Sequence, residues 1–146
     1  QFKFFSSIPD EAIARFTSDT KERFRSASGA GVLVTTYTMV AYGGKRSAEA
    51  ARMMELIKST EWGFLLLDEV HVVPAAVFRR VITTVAAHTK LGLTATLVRE
   101  DGRAGDVFAL VGPKRFEVPW RDLEKSGHIA TATCFELRVP RQEVTA

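Results

Sequence analysis

The sequence has few of the residues that build disulfides, zinc sites or membrane spans. Its 146 residues include one cysteine, Cys134, which excludes an internal disulfide and favours a reducing compartment. Cys134 has no obvious His or Cys partner, which argues against a zinc site or a thiolate nucleophile. No run approaches the roughly 18 apolar residues that a membrane helix needs, so we expect no membrane association.

A phosphate-binding loop is also missing from the sequence. The pattern G-x-x-x-x-G-K-[ST], whose backbone N–H groups cradle phosphates, occurs nowhere in the chain. The stretch Gly43–Ser47 carries Gly-Gly-Lys, but Met39 stands where the first Gly should be and Arg46 follows the Lys. This stretch therefore does not qualify as such a loop.

The overall composition is that of an ordinary globular domain. Hydrophobic residues make up 46% and charged residues 25%, and the length fits about one domain. A net charge of +3 and a pI near 9.2 permit contact with nucleic acid but do not require it, because charge must be clustered to bind phosphates.

Apolar runs separated by polar stretches predict alternating strands and helices, and therefore an α/β fold with a parallel sheet. The run Phe64–Leu67 predicts a strand that is buried on both faces. We expect further strands at Ala12–Phe16, Gly31–Tyr37 and Lys90–Thr94. A first helix is expected after the cap residue Ser47, with Ala48, Ala51 and Met54 at helical spacing. Two more helices are expected, from Pro74 to about Ala87 and near Trp120–Lys125.

Two carboxylates follow the apolar run, in the order Asp68-Glu69-Val70-His71. Acids at the carboxyl end of a buried parallel strand lie where open α/β sheets bind ligands, and in nucleotide hydrolases they hold Mg²⁺ and activate water. An acidic helix N-cap is the alternative interpretation. Thr94 and Thr96 end the next predicted strand and could hydrogen-bond to the acids or to His71, which favours a site.

These residues resemble motifs of superfamily 2 helicases. Asp68–His71 is similar to motif II in its D-E-x-H form, a DEVH box here, and Thr94-Ala95-Thr96 is similar to motif III. The longer string Lys90–Asp101 closely resembles the xeroderma pigmentosum group B DNA helicase family, the translocase subunit of general transcription factor IIH. Further similar stretches are Lys45–Ser47, Glu61–Gly63, Phe78–Val81, Gly112–Lys114 and Trp120–Ala130.

The resemblance implies roles for individual residues. Asp68 would coordinate Mg²⁺ mostly through water. Glu69 would orient or deprotonate the water that attacks ATP, and His71 would couple the nucleotide to the neighbouring lobe through motif III, Thr94, Ala95 and Thr96. Cofactors would be ATP and Mg²⁺, and the fold would be a partial RecA-like domain of the P-loop NTPase type, with a mostly parallel sheet flanked by helices.

The same resemblance implies contacts with DNA. Arg99-Glu100-Asp101 matches the family's R-E-D motif, which is linked to unwinding, and begins a Gly/Asp-rich stretch, Arg99–Asp106, that we expect to be a functional loop. Thr35 and Thr36 would donate hydroxyl hydrogen bonds to the DNA backbone. The alternatives are a solvated charged surface for the triplet and a structural role for the Thr pair.

The family also has parts that this sequence lacks, namely the phosphate loop and the second motor lobe. We therefore expect residues 1–139 to be the carboxyl-terminal part of the first motor domain and residues 140–146 to begin the linker to the second. The parent would be an ATP-dependent 3′-to-5′ double-stranded DNA translocase of the nucleus, acting in promoter opening and nucleotide excision repair with other subunits of factor IIH. The alternatives are a non-catalytic interaction module or degenerate paralogue, and an RNA helicase of the same superfamily.

Two expectations concern the chain in isolation. Without a phosphate loop, Asp68 and Glu69 cannot hold ATP usefully, so we expect no measurable hydrolysis. We also expect an exposed apolar flank, which would promote self-association.

Overall fold

The computed structural model describes residues 2–24, 30–95 and 104–136. The chain forms two compact units, residues 1–113 and residues 114–146. Within the described ranges, no helix is both long enough and apolar enough to cross a membrane.

Parallel strand pairs form the framework of the first unit, which confirms the predicted α/β class. The strands are β1 (Ile13–Phe16), β2 (Val32–Thr35), β3 (Trp62–Leu67) and β4 (Ala87–Gly92). In the described residues they form two two-stranded sheets, β1 with β2 and β3 with β4. Because both pairs are parallel, Phe16 lies opposite Thr35 and Leu67 lies opposite Gly92, and paired strands end at the same edge.

The first unit also contains α-helices and a 3-10 turn. They are α1 (Phe2–Phe5), a 3-10 turn (Asp10–Ala12), α2 (Tyr37–Ala41), α3 (Ala48–Ser59), α4 (Ala75–Thr84) and α5 (Ala104–Leu110). The predicted cap of α3 is confirmed, because Ser47 Oγ accepts a hydrogen bond from Ala50 N at 3.2 Å. The start of α5 places the end of the predicted Arg99–Asp106 loop in a helix.

The prediction that the second strand reaches Tyr37 is wrong. Strand β2 ends at Thr35, and Tyr37 is the first residue of α2. Thr36 stops the strand because its Oγ1 accepts a hydrogen bond from Met39 N at 3.3 Å, which satisfies a donor of the first helical turn.

Helix α3 buries part of the predicted face. Met54 is buried, as its spacing indicated, together with Ala50, Met53 and Ile57, whereas Ala48 and Ala51 are exposed. The short alanines at the start of the helix did not indicate which face meets the core.

Helix α4 is shorter than predicted and strand β4 starts earlier. The helix ends at Thr84 instead of near Ala87. The carbonyl of Ala86 accepts a hydrogen bond from Trp62 N at 2.8 Å, so this stretch of backbone joins β3 instead of extending the helix. Pairing between distant strands overrides local helical preference here.

The core of the first unit is packed between the strands and the inner faces of α3 and α4. Phe16 and Phe78 are its largest fully buried side chains. Tyr37 joins this core from α2, with its ring centroid 6.4 Å from that of Phe78.

Strand β3 is not buried on both faces as its apolar run predicted. Leu67 is buried, but Phe64 is 53% exposed and Leu66 is 43% exposed. Leu91 and Leu93, in and just after the paired strand β4, are exposed as well. This apolar flank confirms the expected exposed surface and is of the kind that mediates association.

The second unit is built around helix α6 (Trp120–Lys125), at the predicted position. The helix ends in a Schellman motif, in which His128 N donates to Leu123 O and Gly127 N donates to Glu124 O. Gly127 has φ +73°, a conformation that glycine adopts at little cost. None of the residues of α6 is buried.

Candidate active site

The two predicted carboxylates lie in a tight turn directly after β3. Asp68 Oδ1 accepts a hydrogen bond from Glu69 N at 3.0 Å, and Glu69 O accepts one from Val72 N at 3.1 Å. Glu69 has φ 51°, the left-handed region that side chains other than glycine rarely adopt. Such conformations cluster at functional sites, where the surrounding structure holds them in place.

The acids are not a helix N-cap, which was the alternative interpretation. The N-cap of α4 is Pro74, and no acidic residue lies in the first turn of that helix. The turn that carries Asp68 and Glu69 therefore precedes α4, and both side chains are exposed.

The β3–β4 ladder continues past the two strands and brings His71 beside Thr94. Leu93 N donates to Leu67 O at 2.8 Å, and Val70 N donates to Leu93 O at 3.1 Å. The next residues in each segment then face each other, so Thr94 Oγ1 and His71 Nδ1 are hydrogen-bonded at 2.7 Å. The predicted contact of Thr94 with His71 is confirmed.

Glu69 contacts the same ring nitrogen of His71. Its Oε2 lies 3.2 Å from His71 Nδ1. His71 is the more shielded partner, with 20% of its side chain exposed against 55% for Glu69. The Glu69 carboxylate therefore faces solvent, while the imidazole of His71 contacts it from the shielded side.

Tyr37 approaches the same turn from α2. Its hydroxyl donates a hydrogen bond to the carbonyl oxygen of Asp68 at 2.6 Å. Burial, and then the negative charges of Asp68 and Glu69, raise the pKa of Tyr37 to about 12. Tyr37 was not among the predicted site residues, because a tyrosine 31 positions before Asp68 carries no local signal of this contact. Its place directly after the Thr pair at a strand end was the available clue.

Thr35 and Thr36 do not join this group through any hydrogen bond that the structure describes. Thr36 Oγ1 caps α2 and lies 3.1 Å from Thr38 Oγ1. Thr35 Oγ1 is buried and, in the described part of the chain, has no hydrogen-bond partner. Thr36 is exposed, so its predicted contact with the DNA backbone stays a prediction.

Of the remaining predicted site residues, one is described by the structure and four are not. Ala95 is exposed and directly follows Thr94. Thr96, Arg99, Glu100 and Asp101 lie outside the described residues.

The glycine-rich stretch Gly43–Ser47 connects α2 and α3. Arg46 Nη2 donates to Tyr42 O at 2.6 Å and to Val40 O at 3.4 Å, which satisfies carbonyls at the end of α2. Arg46 also stacks on the ring of Tyr42 at 5.4 Å. With Arg46 and Ser47 serving the two helix ends, the segment has a structural role consistent with the absence of the phosphate-loop pattern.

The donor set suits a cation that retains water. Among residues 2–24, 30–95 and 104–136, no group of three or more His, Cys, Asp or Glu side chains could hold a metal. Mg²⁺ is commonly held by one or two carboxylates together with water and substrate phosphates, so the exposed carboxylate of Asp68 fits it.

Comparison with known proteins places these features in a family. Residues 1–99 match the family model of the type III restriction enzyme res subunit. The chain is 57% identical to the general transcription and DNA repair factor IIH helicase/translocase subunit XPB2 of Arabidopsis thaliana. The two sequences align over 140 residues, which are 96% of this chain and 18% of that protein. It is 58% identical over 137 residues to subunit XPB of Schizosaccharomyces pombe, covering 94% of this chain and 17% of that protein.

A vertebrate relative gives a similar result. Subunit XPB of Danio rerio is 51% identical over 140 residues, again covering 96% of this chain and 18% of that protein. The chain thus spans about a fifth of the length of these curated relatives. It belongs to the family of the type III restriction enzyme res subunit and, as its motifs predicted, to the xeroderma pigmentosum group B helicase family.

Proposed function

We propose that this chain supplies the acidic half of an ATP-hydrolysing site in a DNA helicase. The observation that carries the proposal is the contact of Glu69 and Thr94 with the same nitrogen of His71, directly after the carboxylates that end β3. Such a group links the acid that acts on water to the end of the neighbouring strand. Nucleotide hydrolysis and a structural response would then share one cluster of contacting side chains.

The residues divide the chemistry among themselves. Asp68 would hold Mg²⁺, which would supply positive charge next to the phosphates of ATP. Glu69 orients the attacking water and accepts its proton, for which its exposed carboxylate is suited. His71 keeps that carboxylate in place and passes a change in its position to Thr94.

The parent protein, on this proposal, is an ATP-dependent 3′-to-5′ translocase on double-stranded DNA, acting in promoter opening and nucleotide excision repair. It works with other subunits of factor IIH, because its relatives are named as subunits of that factor, and on this proposal it is located in the nucleus. Thr36 and the Arg99-Glu100-Asp101 triplet are its proposed DNA contacts, whereas the Thr35 hydroxyl is buried in this structure and would have to become exposed to take part. Binding to phosphates makes DNA affinity fall as salt rises.

The domain organisation follows the same proposal. Residues 1–139 form the carboxyl-terminal part of the first RecA-like motor domain, and residues 140–146 begin the linker to the second. A G-x-x-x-x-G-K-[ST] pattern within roughly a hundred residues upstream in the parent sequence would support the enzyme. Its absence there would support a non-catalytic interaction module.

The decisive experiment replaces Glu69 with Gln in the full-length protein and measures ATP binding and turnover separately. Glutamine keeps the size of the side chain but cannot accept a proton, so we expect binding to persist while turnover falls by ~10²–10⁴-fold. Retained turnover would refute the role of Glu69. Stimulation of turnover by duplex RNA instead of duplex DNA would identify an RNA helicase.

A separate measurement concerns the chain in isolation. Titration calorimetry with Mg-ATP should detect no binding in the micromolar range, because the phosphate-cradling pattern is missing from these residues. Sedimentation at increasing concentration should reveal self-association through the exposed flank at Phe64 and Leu66. A clean monomer at high concentration would contradict that expectation.

A further inference from the structure

The peptide group between Asp68 and Glu69 is hydrogen-bonded at both of its ends. Its carbonyl oxygen, that of Asp68, accepts from the Tyr37 hydroxyl at 2.6 Å. Its N–H, that of Glu69, donates to Asp68 Oδ1 at 3.0 Å. A peptide plane held at both ends cannot rotate without breaking both bonds.

The orientation of this peptide determines the conformation of Glu69. In the observed orientation Glu69 has φ 51°, which is unfavourable for a residue with a side chain. Rotation of the peptide by half a turn would return φ to negative values, which glutamate prefers. The same rotation would reverse the Asp68 carbonyl and the Glu69 N–H, and would therefore break both of their hydrogen bonds. Contacts with neighbouring groups must therefore hold the Asp68–Glu69 peptide in an orientation that gives Glu69 an unfavourable φ.

Tyr37 is suited to that task because its own position is fixed. Its half-buried ring packs against Phe78, with centroids 6.4 Å apart. Its hydroxyl, like that of any tyrosine, is a hydrogen-bond donor at neutral pH. By contrast, Asp68 Oδ1 belongs to an exposed side chain next to the peptide and provides a weaker constraint.

We propose that Tyr37 is a positioning residue that holds the Asp68–Glu69 peptide in its observed orientation and thereby keeps Glu69 in the left-handed conformation of the turn. The proposal rests on the proposed function for its effect on catalysis, though not for its effect on the turn. Tyr37 is also the first residue of α2, directly after Thr35 and Thr36. A displacement at the end of β2 would reach the acids through this hydrogen bond.

The test uses Tyr37→Phe in the full-length protein, since phenylalanine keeps the ring against Phe78 and loses the donor. The first readout is amide hydrogen exchange of the segment that contains Asp68 to Val72, where two backbone N–H groups are protected within the turn. The second is ATP turnover, as kcat and KM. The matched control is Tyr42→Phe, which alters an exposed tyrosine at the other end of α2.

We expect faster exchange in this segment and a kcat lower by about tenfold with little change in KM, the effect of one lost hydrogen bond. Tyr42→Phe should change neither. Para-aminophenylalanine at position 37, which restores a donor, should return both readouts towards wild type and thereby exclude a general loss of folding. Unchanged exchange in Tyr37→Phe would overturn the proposal, as would failure of the amino variant to restore protection.

The two proposals can fail separately. If Glu69→Gln retains turnover, the proposed function fails, whereas the exchange measurement still reports on the Tyr37 contact. If Tyr37→Phe leaves exchange and kcat unchanged while Glu69→Gln abolishes turnover, the positioning role fails and the proposed function stands.

Discussion

The ends of β2 and β3 use polar side chains in opposite ways. Asp68 and Glu69, after β3, are exposed, and Glu69 contacts His71 in a group that also includes Thr94. After β2, Thr36 caps a helix and the Thr35 hydroxyl is buried. The difference arises because a helix begins directly after β2, and its unpaired N–H groups take the nearest hydroxyl. Where a turn follows the strand, as after β3, the side chains remain available for chemistry.

Tyr37 connects these two contrasting ends. It belongs to the helix that Thr36 caps, yet its hydroxyl reaches the Asp68 carbonyl. Helix α2, which follows β2, therefore supports the turn after β3 that carries the two acids. The following predictions test whether the contrast holds, beginning with the largest expected effect.

Asp68→Asn in the full-length protein tests whether the end of β3 needs its charge. Asparagine keeps an oxygen that can accept from Glu69 N but loses the charge that attracts Mg²⁺. We expect ATP turnover to fall by ~10²–10³-fold, as when an electrostatic contact is removed from an active site. Glu61→Gln, at the opposite end of β3, is the control and should have little effect. Equal effects of the two variants on ATP turnover would show that turnover has no particular need for the charge at the end of β3.

His71→Ala and Thr94→Val test whether the site acts as one cluster. Residues in direct hydrogen-bonded contact commonly show coupling free energies of ~0.5–3 kcal/mol in double-mutant cycles. We expect coupling in that range for the free energy of unfolding and for DNA-stimulated turnover. Strictly additive effects would mean that the 2.7 Å contact between Thr94 and His71 carries no energy.

Thr36→Ala tests whether the end of β2 serves the fold. Loss of the N-cap should lower the free energy of unfolding by about 1 kcal/mol, measured by denaturant titration. Ser47→Ala removes the corresponding cap of α3 and should cost a similar amount. If Thr36 also contacts a phosphate, only Thr36→Ala should lower DNA affinity at fixed salt, while the salt dependence stays the same because the hydroxyl carries no charge. A loss of DNA affinity in both variants would point to a general loss of structure.

The pH dependence of stability tests the link through Tyr37, with the smallest effect. The folded protein raises the pKa of Tyr37 from 10.0 to about 12, so it favours the protonated form. This contribution is complete below pH ~10 and is lost as pH rises towards ~12, with a slope reduced by partial exposure. Tyr37→Phe should flatten the stability curve in that window. An unchanged curve would contradict burial of the hydroxyl.

Local patterns predicted the site more accurately than they predicted element boundaries. Asp68, Glu69, His71 and Thr94 were predicted to meet because parallel strands end at the same edge, and His71 contacts Glu69 and Thr94 there. The start of β4 was misplaced because this strand is set by its pairing with β3, in which Ala87 lies opposite Trp62 and the Ala86 carbonyl accepts from Trp62 N. Burial of β3 on both faces was also wrong, since a run of apolar residues records a preference for burial and not the presence of a covering layer.

The sequence alone was sufficient for the α/β class, the parallel pairing, the acids at the end of β3 and the family. These features can be predicted from the sequence because they depend on residue type and on the spacing of residues along the chain. Tertiary structure was needed for the left-handed conformation of Glu69, the N-cap role of Thr36 and the hydrogen bond from Tyr37. Each of these depends on which backbone groups lack a partner once distant segments have packed. The carboxylates after the apolar run were therefore recognisable as chemistry from the sequence, but what holds them in position was not.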